Sequence, residues 1–568
     1  MAEFRCGRLD EKLLYTTNEQ AEPSENPWVG ILLEDQGNRY ENTRCSVVII
    51  NELHILSTAT CVKRFSQRSG DTKAVAMLGV WDETDSPEEE LSCNDKDFCV
   101  PGPELYKVVE IKVHPQTDKD TGDNDLAILR LEKPVEWTNW VQPICLEGTS
   151  EPETLTNRNL HYTGFNHMAS EKGKGLAMTV STQKCKQLTS SSVLVPVNQL
   201  CGYPVKRTKF YPGAPLMDID VRDEKPHNFY LVGILVRNVD AGQATTQVYQ
   251  NVRRARSWIM ENLNSQSVDF ELRFRMLGRI AVLLLLVGLF GPEVRSAKVN
   301  DDQCGAFDED QMLNMQSTFA IPTEHQWVAR IVYGKGFEGK IRDNGCLGVL
   351  VSKRTVLAPA HCFVQYNGVA EAFSVHLGVH NKSAPVGVRV CETDGYCVRP
   401  SQEIKLAEIA IHPDYDSRTL KNSLAVLTLQ RDAKIYPNVM PICMPPPSLL
   451  NETLVAQTFV VAGLRVFEDF RLKTWVNTLS RGFCQSKVKT LVTSSNTVCG
   501  YHKQPVAYYL GAPLVGLQKK GHVTQNYYLV GIMIDWRWEN NRIMSSFLAI
   551  RNYMDFIRQN SNSLIVRS

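Results

Sequence analysis

The sequence predicts an all-β protein built as two copies of one disulfide-framed domain. Three observations predict it. Sixteen cysteines fall eight in residues 1–262 and eight in residues 298–568, at matching intervals. Short runs of Val, Ile and Leu recur between turn-forming residues, without helix-length periodic stretches between them. The length, 568 residues, exceeds what one hydrophobic core serves, whereas two all-β units of up to about 250 residues fit it.

The repeat is read from the cysteines. They stand at 6, 45, 61, 93, 99, 145, 185 and 201, then at 304, 346, 362, 391, 397, 443, 484 and 499. Five pairs are offset by 298, one by 299 and two by 301. Fixed spacing over that length means a duplicated domain. The even count, with no CxxC or Cys/His cluster of zinc type, reads as disulfides rather than metal ligands. Disulfides place the protein in an oxidising compartment, so secretion is expected. No metal and no cofactor is expected. Lys+Arg and Asp+Glu are 62 each, so the chain is neutral and offers nothing to nucleic acid. Hydrophobic content of 43% and charged content of 22% exclude wholesale disorder.

The elements follow in order. Cys45–Ile50 and Gly348–Val351 read as strands, as do Leu126–Leu131 and Leu424–Leu429. Each run is four to eight residues long and rich in branched side chains. Many such runs suggest a barrel or a sandwich. Each copy closes on a helix-like stretch, Arg254–Met260 and Ile550–Ile557, where apolar residues recur at three- and four-residue steps. The expected layout is an N-terminal segment (1–27), a first domain (28–262), a linker (263–297), a second N-terminal segment (298–326), a second domain (327–560) and a tail (561–568).

The linker holds the most apolar stretch, Ile280–Phe290. Eleven residues of helix span roughly 16 Å, short of a hydrocarbon core of about 30 Å, so no stable membrane span is expected. Met276 opens it, Arg279 charges its front, and Val294-Arg295-Ser296-Ala297 offers small residues for cleavage. Residues 276–297 therefore have the layout of a secretory signal peptide. Two secreted proteins joined in one frame would produce this arrangement; a tandem protein with a signal-anchor and a chain with an unusual signal are the alternatives.

Ala358-Pro359-Ala360-His361-Cys362 resembles the Thr-Ala-Ala-His-Cys segment of trypsin- and chymotrypsin-like serine proteases. Asn124-Asp125-Leu126-Ala127 is similar to that family's segment around its triad aspartate. Pro143-Ile144-Cys145-Leu146 and Pro441-Ile442-Cys443-Met444 resemble its Pro-Ile-Cys-Leu. Gly213-Ala214-Pro215-Leu216 and Gly511-Ala512-Pro513-Leu514 resemble the tail of its Gly-Asp-Ser-Gly-Gly-Pro-Leu motif. The resemblance implies two tandem chymotrypsin-like domains, each a pair of antiparallel β-barrels with a cleft between them and a C-terminal helix. It implies disulfides Cys45–Cys61, Cys93–Cys99, Cys185–Cys201 and a tether Cys6–Cys145, repeated as Cys346–Cys362, Cys391–Cys397, Cys484–Cys499 and Cys304–Cys443. The tether and the short Cys93–Cys99 loop most resemble arthropod cascade (clip-type) proteases, although neither N-terminal segment has the cysteines of a clip domain.

The family's reaction needs a Ser nucleophile, a His base and an Asp that orients the His. The resemblance places Thr60, Asp125 and Pro212 at these positions in the first half. In the second half it places His361, Ser423 and Leu510. Neither Pro nor Leu has a side-chain nucleophile. The glycine that lends an oxyanion-hole amide is replaced by Phe210 and Tyr508, and the acid that binds a cut N-terminus by Tyr211 and Tyr509. The substrate strand reads Val236-Arg237-Asn238 and Ile534-Asp535-Trp536. No working catalytic residue is expected in either half. Arg253–Arg256 reads as a solvated helix face, Asp82–Glu90 as an exposed acidic loop, and Asn381 and Asn451 as glycosylation sequons.

The expected function is therefore that of a secreted, catalytically inactive serine protease homologue. It would bind an extracellular protein, an active protease or its substrate, as a cofactor or regulator in a proteolytic cascade such as innate immunity. An active endopeptidase and a structural or adhesive extracellular protein are the alternatives.

Overall fold

The computed structural model describes the chain except for residues 1–5, 15–18, 66–72, 88–90, 94–98, 150, 190–197, 205–207, 242–243, 265–303, 315–316, 336–340, 365–368, 392–396 and 562–568. The signal-like segment 276–297 thus lies outside the described residues. Among the described residues no helix is long and apolar enough to cross a membrane.

Each half contains two closed six-stranded barrels. In the first barrel, Val29–Asp35, Tyr40–Ile49 and His54–Ser57 run antiparallel and continue through Ala127–Leu131, Glu104–Val113 and Ala74–Leu78 back to the start. The next comprises Asn159–Asn166, Ala169–Val180, Gln199–Pro204, Ala244–Asn251, Lys225–Ala241 and Pro215–Arg222 in that order around the ring. The second half repeats both barrels with the same strand order, from Val328–Lys335 to Arg542–Ala549. Every strand expected from an apolar run lies in a barrel.

The sequence reason is direct. Small barrels fill their interiors with side chains, and the branched runs supply them: Val47, Val48, Ile49, Ile55 and Leu56 are fully buried, as are Leu347, Val349, Leu350, Val356 and Leu357. Bulges such as those at Leu32/Leu33 and Leu235/Arg237 bend the strands enough to close the ring.

The C-terminal stretches are helical as expected. Val252–Asn264 runs two residues past the expected boundary at 262 and buries Val252, Ala255 and Ile259. In the second half a 3-10 turn, Ile550–Tyr553, leads into the helix Met554–Gln559.

Six disulfides join the expected partners: Cys6–Cys145, Cys45–Cys61, Cys185–Cys201, Cys304–Cys443, Cys346–Cys362 and Cys484–Cys499. Cys93 faces Cys99 and Cys391 faces Cys397 across two-stranded ribbons; the bonds expected there involve side chains outside the described set. All of these pairs lie within one half.

The tether is more than a disulfide. Gly7 donates its amide to Pro143 O and accepts from Phe229 N, both at 2.8 Å. Its φ is +65°, and a Cβ there would lie 2.0 Å from Phe229 O, so only glycine fits. Gly305 repeats this against Pro441 and Tyr527. Further along, Glu25 pairs with Lys174 at 2.6 Å and Glu324 with Lys473 at 2.5 Å, both pairs largely withdrawn from water. Lys172 and Arg471, also buried, donate to carbonyls of the same segments, at Asn26 and at His325 and Pro322.

Candidate functional site

The cleft residues of the first half are set by the ends of barrel strands. His54–Ser57 leads into a single helical turn, Ala59–Val62, whose Thr58 hydroxyl accepts from the Cys61 amide. That turn presents Thr60 at the surface. Asp125 lies two residues before the strand Ala127–Leu131 and is 2% exposed. The Thr60 amide donates to Asp125 Oδ1 at 2.7 Å and its hydroxyl to Oδ2 at 2.8 Å. Both carboxylate oxygens are therefore taken up by residue 60, where the family has its base. Burial pushes the Asp125 carboxyl up, opposed by the Thr60 hydrogen bonds.

Pro212 closes the same site. Its carbonyl accepts from the Ser46 amide at 2.7 Å and lies 3.9 Å from the Cys61 sulfur. Proline has no N–H, so the backbone donor that the family takes from its nucleophile residue is chemically absent here. Gly213, at φ +92°, passes so close to Ser46 O that a Cβ would lie 2.0 Å from it. The Phe210 ring is buried edge-on against Tyr162, with centroids 5.0 Å apart, and its carbonyl accepts from Asn238 Nδ2. The Tyr211 hydroxyl donates to Glu83 at 3.1 Å rather than leaving a pocket for a chain terminus. Arg237, on the strand that the family uses for substrate, donates to Thr121 O at 3.0 Å and so ties that strand to the loop beside Asp125.

The second half keeps the histidine but not its partners. His361 Nδ1 lies 3.0 Å from Ser423 Oγ, and Ser423 is fully buried. A serine hydroxyl carries no charge with which to stabilise an imidazolium, as the family's aspartate does. His361 Nε2 is buried with no hydrogen-bond partner among the described residues. Burial lowers its pKa to about 4. A general base works best with a pKa near the operating pH, and this ring stays neutral without gaining the affinity for a proton that the role requires. Leu510 stands at the nucleophile position, half-buried, its carbonyl accepting from the Leu347 amide at 2.6 Å. Tyr508 is buried in the barrel interior beside His502. The Tyr509 hydroxyl also meets a carboxylate, Asp343 at 3.3 Å, but one from a different element than Glu83, whose equivalent is Lys382.

The structure thus brings Thr60, Asp125 and Pro212 together around the Cys45–Cys61 disulfide, and His361, Ser423 and Leu510 around Cys346–Cys362. Cys346, His361 and Cys362 place donor atoms within 4.8 Å of one another. Both sulfurs are spent in the disulfide, so the thiolates a metal would need are not available.

Other expected sites are placed as follows. Arg253 and Arg256 are not a free basic face: both pair with Glu151, and Arg256 also donates to Leu146 O. The carboxylates of Asp82 and Asp85 are used within their own loop and by Ser170, while residues 88–90 lie outside the described set. Asn451 is exposed, whereas Asn381 is half-buried with its Oδ1 accepting from the Ser383 amide. Sequence reasoning missed Thr60 and Ser423 as hydrogen-bonding substitutes and the buried Glu25–Lys174 and Glu324–Lys473 pairs. A signal existed for the pairs: both members recur at an offset of 299. Two cavities of about 230 and 370 Å³ lie where the halves meet, and none of the six triad-position residues lines either.

Two antiparallel barrels in each half, with the three triad positions brought together, define a protein of serine-protease architecture. The chain belongs to the trypsin family, whose model matches residues 16–259 and again 316–533. It is 26% identical over 271 residues to phenoloxidase-activating factor 3 of Holotrichia diomphalia, covering 45% of this chain and 74% of that protein. Melanization protease 1 of Drosophila melanogaster is 25% identical over 257 residues, covering 42% of this chain and 63% of that protein. Transmembrane protease serine 9 of Rattus norvegicus is 22% identical over 462 residues, 75% of this chain and 38% of that protein.

Proposed function

We propose that this chain is a secreted, catalytically silent serine protease homologue. It acts as a binding cofactor or regulator in an extracellular proteolytic cascade of the melanization type. One observation carries the reading: the nucleophile positions hold Pro212 and Leu510, so neither offers a side-chain atom able to form an acyl-enzyme. Three further features support it. Asp125 is bonded to Thr60, His361 faces an uncharged serine, and Arg237 ties the substrate strand to a neighbouring loop. Within-half disulfides support an oxidising compartment. The similarity to a phenoloxidase-activating factor and a melanization protease of insects suggests the cascade.

The test is affinity capture from haemolymph with the intact chain, read by mass spectrometry. Enrichment of serine proteases or their substrates over a bead control is expected. Recovery of matrix components alone would sink this reading and favour an adhesive protein.

A further inference from the structure

We infer that the two halves are a built pair. Each lends its N-terminal segment to the other across a pseudo-two-fold interface, and the pairing does not depend on the linker. The evidence is reciprocal. Glu309, in the second half's N-terminal segment, reaches Ser181 of the first half; it accepts from the Ser181 amide at 2.8 Å and from its hydroxyl at 2.6 Å. Glu11, in the first half's N-terminal segment, does the same to Ser480, at 3.1 and 2.9 Å. Glu11 and Glu309 are offset by 298, and Ser181 and Ser480 by 299, so these are the same contact made twice in opposite directions.

The rest of the seam obeys the same symmetry. Leu14 packs against the second-half cluster that contains Leu479, Cys484 and Val488, and Leu313 against the first-half cluster that contains Val180, Cys185 and Val248. Arg158 and Gln457, equivalent at an offset of 299, touch each other at 3.4 Å, as residues on a two-fold axis must. The equivalent turn residues Glu224 and His522 also both reach across. Glu224 lies 3.8 Å from Arg481 and Arg551, and His522 Nδ1 lies 3.2 Å from Thr154 Oγ1. A contact set that maps onto itself is the mark of an isologous interface.

The seam is also chosen for unlike halves. Asn157 donates to Glu309 at 2.8 Å and accepts from Thr524 at 2.5 Å. Its equivalent, Ala456, has no side chain to do either. Two second halves facing each other would lose those bonds and would set His522, not an acid, against Arg481 and Arg551. The second half's surface therefore fits a protease-fold domain of the first kind rather than a copy of itself.

The test cuts the intact protein at a protease site inserted between residues 264 and 304, then examines it by native mass spectrometry and size exclusion. The disulfides lie within halves, so only non-covalent contact can hold the products together. The expected result is one complex at the full mass near 64.0 kDa, with unlike halves paired. Glu11→Ala combined with Glu309→Ala is expected to weaken the cut pair about 10- to 100-fold, since charge-assisted bonds are removed at both ends. Near-UV circular dichroism of the uncut variant checks that its barrels are intact, and Glu309→Gln, which keeps acceptor and shape, is expected to weaken the pair less. Separation of the cut halves at micromolar concentration would overturn the inference. Statistical exchange into like pairs would overturn the selectivity. Unchanged affinity in the folded double variant would overturn the assignment of the two arms.

Discussion

Replacing Glu324 by alanine tests whether the N-terminal segment of the second domain is stitched in place without a cut. Lys473 is fully buried and its ammonium sits 2.5 Å from Glu324 Oε1, a side chain that is itself only 6% exposed. Lys473 also approaches Gln311 O at 3.4 Å, a weak substitute for a carboxylate. Removing one member of a buried ion pair strands the other charge, which costs about 3–5 kcal/mol. In a domain of this size each kcal/mol moves the melting temperature by roughly 2–4 °C. Differential scanning calorimetry of the intact chain should therefore show the second domain melting roughly 6–20 °C lower. The double variant Glu324→Leu with Lys473→Met removes both charges and should recover most of that loss. A Glu324→Ala variant that melts within a degree of the parent would refute the reasoning. So would a double variant no better than the single, because the cost would then lie in shape rather than in a stranded charge.

Three other outcomes are expected. Thr60→Val takes one of the two Thr60 hydrogen bonds from Asp125 and should cost about 1 kcal/mol in urea unfolding, a modest loss because Thr60 itself is exposed. His502 is buried between Val506 O and Ser545 Oγ with its pKa lowered by burial to about 4. The folded pKa lies below the unfolded one, so the neutral ring's contribution is present above pH 6.5 and is lost as pH falls towards 4; it amounts to roughly 3 kcal/mol at the lower end. Melting temperature measured from pH 7 to 4 should fall, and a His502→Gln variant should fall less steeply. Material secreted from insect cells should shift on a gel after glycosidase treatment, and Asn451→Gln should remove most of that shift, because Asn451 is the exposed sequon.

Much of this architecture is legible in the sequence, for physical reasons. Barrel strands must bury branched side chains, so Val47–Ile49 and Val426–Leu427 announce themselves. Disulfide-bonded cysteines cannot move relative to one another, so their spacing records the domain twice. Four of the triad positions could be found because a half-cystine or glycine follows them, Cys61, Cys362, Gly213 and Gly511, and the other two because Asp125 and Ser423 open the apolar runs Leu126–Leu131 and Leu424–Leu429. What replaced the chemistry was not legible. That the Thr60 hydroxyl turns onto Asp125, and that Ser423 lies against His361, are facts of rotamer and burial. The Arg253–Arg256 cluster looked free in one dimension because Glu151, its partner, lies about a hundred residues away in sequence. The seam between the halves was hidden for the same reason: Glu11 and Ser480 are 469 residues apart.

The central claim is that neither cleft performs acyl transfer. The direct measurement is fluorophosphonate labelling of the intact purified chain, run beside trypsin and paired with turnover of a fluorogenic peptide panel. No label is expected on either half after trypsin has reacted to completion, and no turnover that follows the chain through purification. Stoichiometric labelling, with peptide cleavage abolished by His361→Ala, would contradict the claim.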